Sequence, residues 1–225
     1  MPIRSSRALL VLAALSMTAC VEAGQPTGGR ATATGGATVS GRVMQLRSDQ
    51  QALSGAVNAQ NGQLQALRGS SGASARAYNA DVGMIISRLQ VGTTPANPEL
   101  VALWNSAQAH LDRITADLGQ LNSLATQVTT QASVAGHLLD TVRSTYNVGG
   151  AVDEDHRQLR AIEGDTNRDM AQIDRLIADL NGEIARQNGF IAAERAKLAG
   201  LNYGVNVGRL TGGPAPGGAP RPMRR

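Results

Sequence analysis

Chemistry needs a nucleophile, an acid–base group or a set of metal ligands at a workable spacing. This chain of 225 residues offers one thiol, Cys20, and three imidazoles, His110, His137 and His156. No histidine has another four residues away, and no second thiol completes a set, so the spacing excludes a tetrahedral metal site. "DEDH" at 153–156 sets three carboxylates beside an imidazole. At the first turn of a helix such a cluster complements the positive end of the macrodipole, and that is the expected role. The strand–turn–helix motifs G-x-S-x-G and G-x-x-x-x-G-K do not occur, and no pair of carboxylates is framed by a pocket. The expectation is a non-enzymatic chain without a cofactor. Basic residues alternate with acids along the chain instead of forming a stripe, which argues against nucleic acid as a partner.

Cys20 has a more specific context. "MPIRSSR" carries Arg4 and Arg7 and no acid, and "ALLVLAAL" follows as a short apolar run. That is the layout of a secretory signal over residues 1–19. A run of that length rises only about 12 to 15 Å as a helix, too short for a stable membrane span. "MTAC" then places small residues directly before Cys20. The stretch 1–20 resembles the bacterial lipobox, with Met17 where the pattern prefers Leu. The resemblance implies lipidation of the Cys20 thiol with diacylglyceryl, cleavage before it, and acylation such as palmitate on the new N-terminus. Several acyl chains on one residue suffice for a stable membrane anchor. In the lipoprotein family an Asp after the cysteine favours the inner membrane. Here Val21 follows, which implies the periplasmic face of the outer membrane.

Residues 20–37 read as a flexible linker of Gly, Thr and Ala, about 20 to 25 Å in mean reach. Beyond it the chain changes character. In alternating steps of four and three from Leu100, through Trp104, Ala107, Leu111 and Ile114, to Val142 and Tyr146, every position is apolar. A sustained period of 3.5 specifies a long helix with one seam packed on a neighbour. "GTTPANPE" marks its start and "NVGG" its end. Residues 152–202 keep the rhythm from Leu159 to Leu201, with a stutter at Leu176, Leu180 and Ile184. Asp153 and Arg157 are expected to pair one turn apart.

Residues 38–91 are the weakest segment, since their seam from Val39 to Tyr78 includes Gln50, Gln60, Ser71 and Ser74. Gly41, Gly55, Gly62, Gly69 and Gly83 fall on one seven-residue lattice opposite that seam. Interior helix glycines cost roughly 1 kcal/mol each, so the lattice predicts either a tolerated outer face, the preferred reading, or a face that another helix approaches closely. Thr166, Asp169, Gln187 and Glu194 interrupt the third seam, where a wet rim is expected in preference to polar residues that fix register.

Together these segments predict an all-α fold over residues 38–202, an elongated antiparallel three-helix bundle or coiled coil. The competing arrangement is a hairpin of the second and third helices with the first loose or held by another chain. Residues 203–225, ending "GGPAPGGAPRPMRR", predict a disordered tail. Arg209, Arg221, Arg224 and Arg225 supply its charge with no acid, and suit anionic lipid or peptidoglycan carboxylates.

"VGTTPANPELVALWNSAQAHLDRI" and "GAVDEDHRQL" are similar to the helical portion of alphaproteobacterial envelope lipoproteins, some of which continue into an OmpA-like peptidoglycan-binding domain. The similarity covers residues 91–202 and implies a helical scaffold without transferring site residues. Braun-type murein lipoproteins attach through a C-terminal lysine. This chain ends in Met-Arg-Arg, and Lys197 is its only lysine. The expected function is a lipid-anchored periplasmic interaction protein whose helices pack on a protein partner. The alternatives are a non-covalent peptidoglycan tether acting through the tail, or an accessory subunit of an envelope transport or secretion system.

Overall fold

The computed structural model describes residues 31–210, so Cys20, the signal-like segment and Arg221, Arg224 and Arg225 lie outside the described residues. Three helices account for nearly all of the rest: α1 (Ala31–Val91), α2 (Pro98–Tyr146) and α3 (Asp153–Val207). They pack on one another as an all-α three-helix bundle, with no strand among the described residues.

Cross-helix bonds define the topology. α1 and α3 run parallel, since Ser40 meets Asp155, Arg47 meets Asp165, Arg68 meets Glu183 and Tyr78 meets Glu194, all at separations of 115 to 118 residues. α2 runs against both: Ser71 contacts Asp117 and Arg88 faces Glu99, while Tyr146 reaches Glu163 and Arg195 reaches Thr115. The hairpin with a loose first helix is therefore not the arrangement adopted.

The seams lie where the 3.5 period puts them. From Val39 to Tyr78 the α1 seam is buried throughout, its four polar members included. The boundaries move outward at two places. α1 starts at Ala31 and not at residue 38, because an established helix extends through Ala and Thr without a second nucleation cost. α3 continues past residue 202 to Val207, where Val205 is buried. There Ala96 N donates to the Val205 carbonyl at 3.0 Å, so the α1–α2 connection holds the last turn. Gly208 closes α3 at φ 76°, against Thr93, and a Cβ there would lie 2.3 Å from the Thr93 oxygen. Residues 203–210 accordingly belong to the bundle and not to the tail.

Helix starts follow their local chemistry. Pro98 opens α2 behind Asn97, whose side chain accepts from Glu99 N at 2.9 Å. Asp155 reaches back to accept from Val152 N at 3.1 Å. The expected Asp153–Arg157 pair is replaced by Glu154–Arg157, one residue closer along the same face. Among the described residues no helix is long and apolar enough to cross a membrane.

Candidate functional site: a buried polar ladder and two grooves

The core is two apolar clusters and not one. The first joins α1 from Val39 to Leu67, α2 from Leu121 to Val142 and α3 from Leu159 to Leu180. The second joins Tyr78 to Leu89, Leu100 to Ile114 and Ile191 to Val205. Between them lies a polar layer with a member from every helix. Ser71 Oγ donates to Asp117 Oδ2 at 2.8 Å, and Gln187 Nε2 donates to Ser71 Oγ at 3.0 Å and to Glu183 Oε1 at 3.2 Å.

That layer is one rung of a ladder along the α1–α3 contact. Gln50 Nε2 donates to the buried Asp169 at 3.1 Å, flanked by the Arg47–Asp165 pair at 2.8 Å. Near α3's start Ser40 Oγ donates to Asp155 at 3.0 Å. Thr166, Asp169 and Gln187 are thus buried, with Thr166 returning its hydroxyl to the Ile162 carbonyl. The wet rim expected at these positions is absent. Burying an unpaired carboxylate costs several kcal/mol, and Gln50 and Ser71 of α1 instead stand opposite Asp169 and Gln187 of α3, while the buried Gln60 Oε1 has no hydrogen-bond partner.

Glu183 is the hub of the middle rung. Burial pushes its carboxyl up, but hydrogen bonds from Arg186, Gln187 and Arg68 outweigh that and hold it below the ordinary carboxylate range. Burial is also the largest cause raising the Tyr78 hydroxyl far above its usual value, with Glu194 adding to it. Trp104, the sole tryptophan, ties α2 to α3 by donating Nε1 to the Leu198 carbonyl at 3.0 Å.

Two grooves flank this ladder. One of about 450 Å³ lies beside the middle rung between Arg68, Gly72, Ala75, Glu183, Arg186 and Phe190. The other, of about 360 Å³, lies between α1 and α2, with Leu46, Leu53 and Ala56 on one wall and Gln131, Val134 and Leu138 on the other. His137 sits on its edge, His110 stands 3.8 Å from Asp81, and His156 stacks on Tyr146. The histidines therefore stand apart, and no group of three metal-ligating side chains occurs among the described residues.

Of the residues that sequence singled out as anionic contacts, Arg209 alone is described. It is exposed just after the α3 cap, its backbone N donating to Gly204 O at 3.2 Å. Sequence reading missed Asp117, Leu124, Leu138 and Thr145, which are buried on α2 beside the expected seam. Their seven-residue spacing was a usable signal, a second column parallel to the first. Comparison with protein-family models, curated proteins and solved structures yields no match.

Proposed function

We propose that the chain is a lipid-anchored structural protein of the bacterial periplasm, held to the outer membrane through Cys20 and displaying its helices to a protein partner. The observation that carries this reading is the use of chain: three helices of 49 to 61 residues run side by side, joined by the short connections 92–97 and 147–152. Such a layout extends reach, and its interior is filled with side chains. The "MTAC" context and Val21 supply the anchor and its membrane. The reading is non-enzymatic and requires no cofactor.

Labelled palmitate in growing cells tests the anchor directly. The native chain should take up label and fractionate with outer membranes, and Cys20→Ser should do neither. An unlabelled native chain would overturn the reading. Photo-crosslinkers placed along the exposed helix faces in intact cells should then capture a protein partner.

A second reading is supported by the segregation of charge. Residues 20–202 carry two more acids than bases, whereas Arg209, Arg221, Arg224 and Arg225 stand without an acid among them. A tether to peptidoglycan through this tail requires co-sedimentation with purified sacculi that is lost on deleting residues 212–225. An accessory role in an envelope transport or secretion system uses the same physics with a different partner.

A further inference from the structure

The groove beside the middle rung runs between α1 and α3, and Ile114 of α2, itself buried, also lines it. Its apolar part is small and held in place. Phe190, the chain's single phenylalanine, is half-buried there and stands edge-on to Tyr78 at 5.9 Å and 77°. On the α1 side Gly72 and Ala75 keep the wall low. A Cβ at Gly72 would meet only the far end of the Arg76 side chain, at 3.7 Å, so the room there comes from the residue type and is not demanded by packing.

The polar part of the groove has capacity left over. Gln187 is 5% exposed; its Nε2 is committed to Ser71 and Glu183, while its Oε1 is buried without a hydrogen bond. Gln60, Asp81 and Glu194 hold the other such atoms among the described residues, and none of those three lines this groove. An acceptor left in that state has given up water for nothing. The opposite surplus stands beside it. Arg68 Nε and Arg186 Nη2 both donate to Glu183 Oε2, so two guanidiniums share one carboxylate oxygen and keep most of their N–H groups for other acceptors.

We propose that this groove binds a small α-amino carboxylate with an apolar side chain, either free or as the C-terminal residue of a peptide. The side chain of the ligand lies on Phe190, Ala75 and Ile114. Its carboxylate takes the free N–H groups of Arg186 and Arg68, in the forked geometry that a guanidinium offers. Its ammonium or amide N–H donates to Gln187 Oε1, whose terminal amide turns on a broad torsion and meets a donor arriving from the groove. The bond this loosens, from Nε2 to Glu183 at 3.2 Å, is one that Glu183 can spare, since both arginines still donate to it. Other ligand chemistries fit less well. A plain cation meets two guanidiniums, a plain carboxylate leaves Oε1 unbonded, and an uncharged apolar molecule leaves both surpluses standing. The volume of about 450 Å³ falls within the range of small-molecule sites.

Isothermal titration of the full-length chain with L-leucine and with L-phenylalanine should give saturable binding at one site per chain. N-acetyl-L-leucine, whose amide N–H replaces the ammonium, separates the two sources: affinity within about tenfold of that for L-leucine assigns a peptide C-terminus, and a larger loss assigns the free amino acid. Leucinamide, which lacks the carboxylate, and isocaproate, which lacks the donor, should each bind at least about tenfold more weakly than L-leucine. Gly72→Leu fills the groove with a better helix former, so it should abolish binding while ellipticity and thermal midpoint stay native or rise. Gln187→Met should weaken L-leucine by about tenfold and leave isocaproate unchanged, a split that a merely structural role would not produce. Absence of saturable binding for L-leucine, L-phenylalanine and N-acetyl-L-leucine alike overturns the proposal. So does binding that survives Gly72→Leu, or equal affinity for L-leucine, leucinamide and isocaproate.

Discussion

Asp169 shows how a single buried carboxylate is made tolerable. It is 5% exposed and takes its hydrogen bond from Gln50 on a different helix. Gln50→Leu should therefore destabilise the bundle by about 1 to 3 kcal/mol, because the partner left behind loses its donor and not because leucine packs badly. The double variant Gln50→Leu, Asp169→Leu should recover most of that loss. Urea unfolding of the four species, arranged as a double-mutant cycle, reads the coupling, and additive effects would show the pair to be independent.

Glu183 gives the same rung a pH dependence. A carboxyl held low in the folded state stabilises above its unfolded pKa, near 4.3, and that contribution is lost as pH falls through the depressed folded value. Glu183→Gln should lower stability at neutral pH and flatten the acid limb of the curve. Urea midpoints followed from about pH 7 downward through the carboxylate range check it. An acid limb as steep as the native one would assign the effect to other groups.

At the scale of the helix, the seams were legible because the period of apolar residues is a property of one segment alone. Every position from Leu100 to Tyr146 on the 3.5 lattice is buried or half-buried. Asp117, Leu124, Leu138 and Thr145 were not legible from that lattice, since one seam describes contact with one neighbour. In a three-helix bundle each helix touches two neighbours and needs a second column. Polar partners such as Ser71 and Gln187, 116 residues apart, depend on the offset between helices, which no single segment records.

The α1 glycines are the element's weakest feature. With nothing within 4 Å of a Cβ at Gly55 or Gly62, intramolecular packing does not require glycine there. Alanine at each should raise stability by about 0.5 to 1 kcal/mol through the lower entropy of the unfolded chain. Thermal melts followed by ellipticity should show a higher midpoint for Gly55→Ala with Gly62→Ala. A lower one would show that the entropic cost of glycine is not the dominant effect on this face.

For the bundle as a whole, the layer of Ser71, Asp117 and Gln187 divides one apolar core into two. Apolar seams alone tolerate slippage by a heptad, because leucine meets leucine at every register. A three-membered polar contact exists at one register only, so it costs stability and specifies alignment. Replacing it with Ser71→Ala, Asp117→Leu and Gln187→Leu should raise the unfolding free energy, as buried ionic groups exchanged for packed apolar ones often do, by about 1 to 4 kcal/mol, read by urea unfolding. Trp104 lies in the second cluster only, so its fluorescence and the ellipticity of all three helices report different parts of the bundle. If the layer limits cooperation between the clusters, the two signals should separate in the native chain and coincide once the layer is apolar. Coincident transitions in both would show that the helices themselves transmit unfolding across the polar layer.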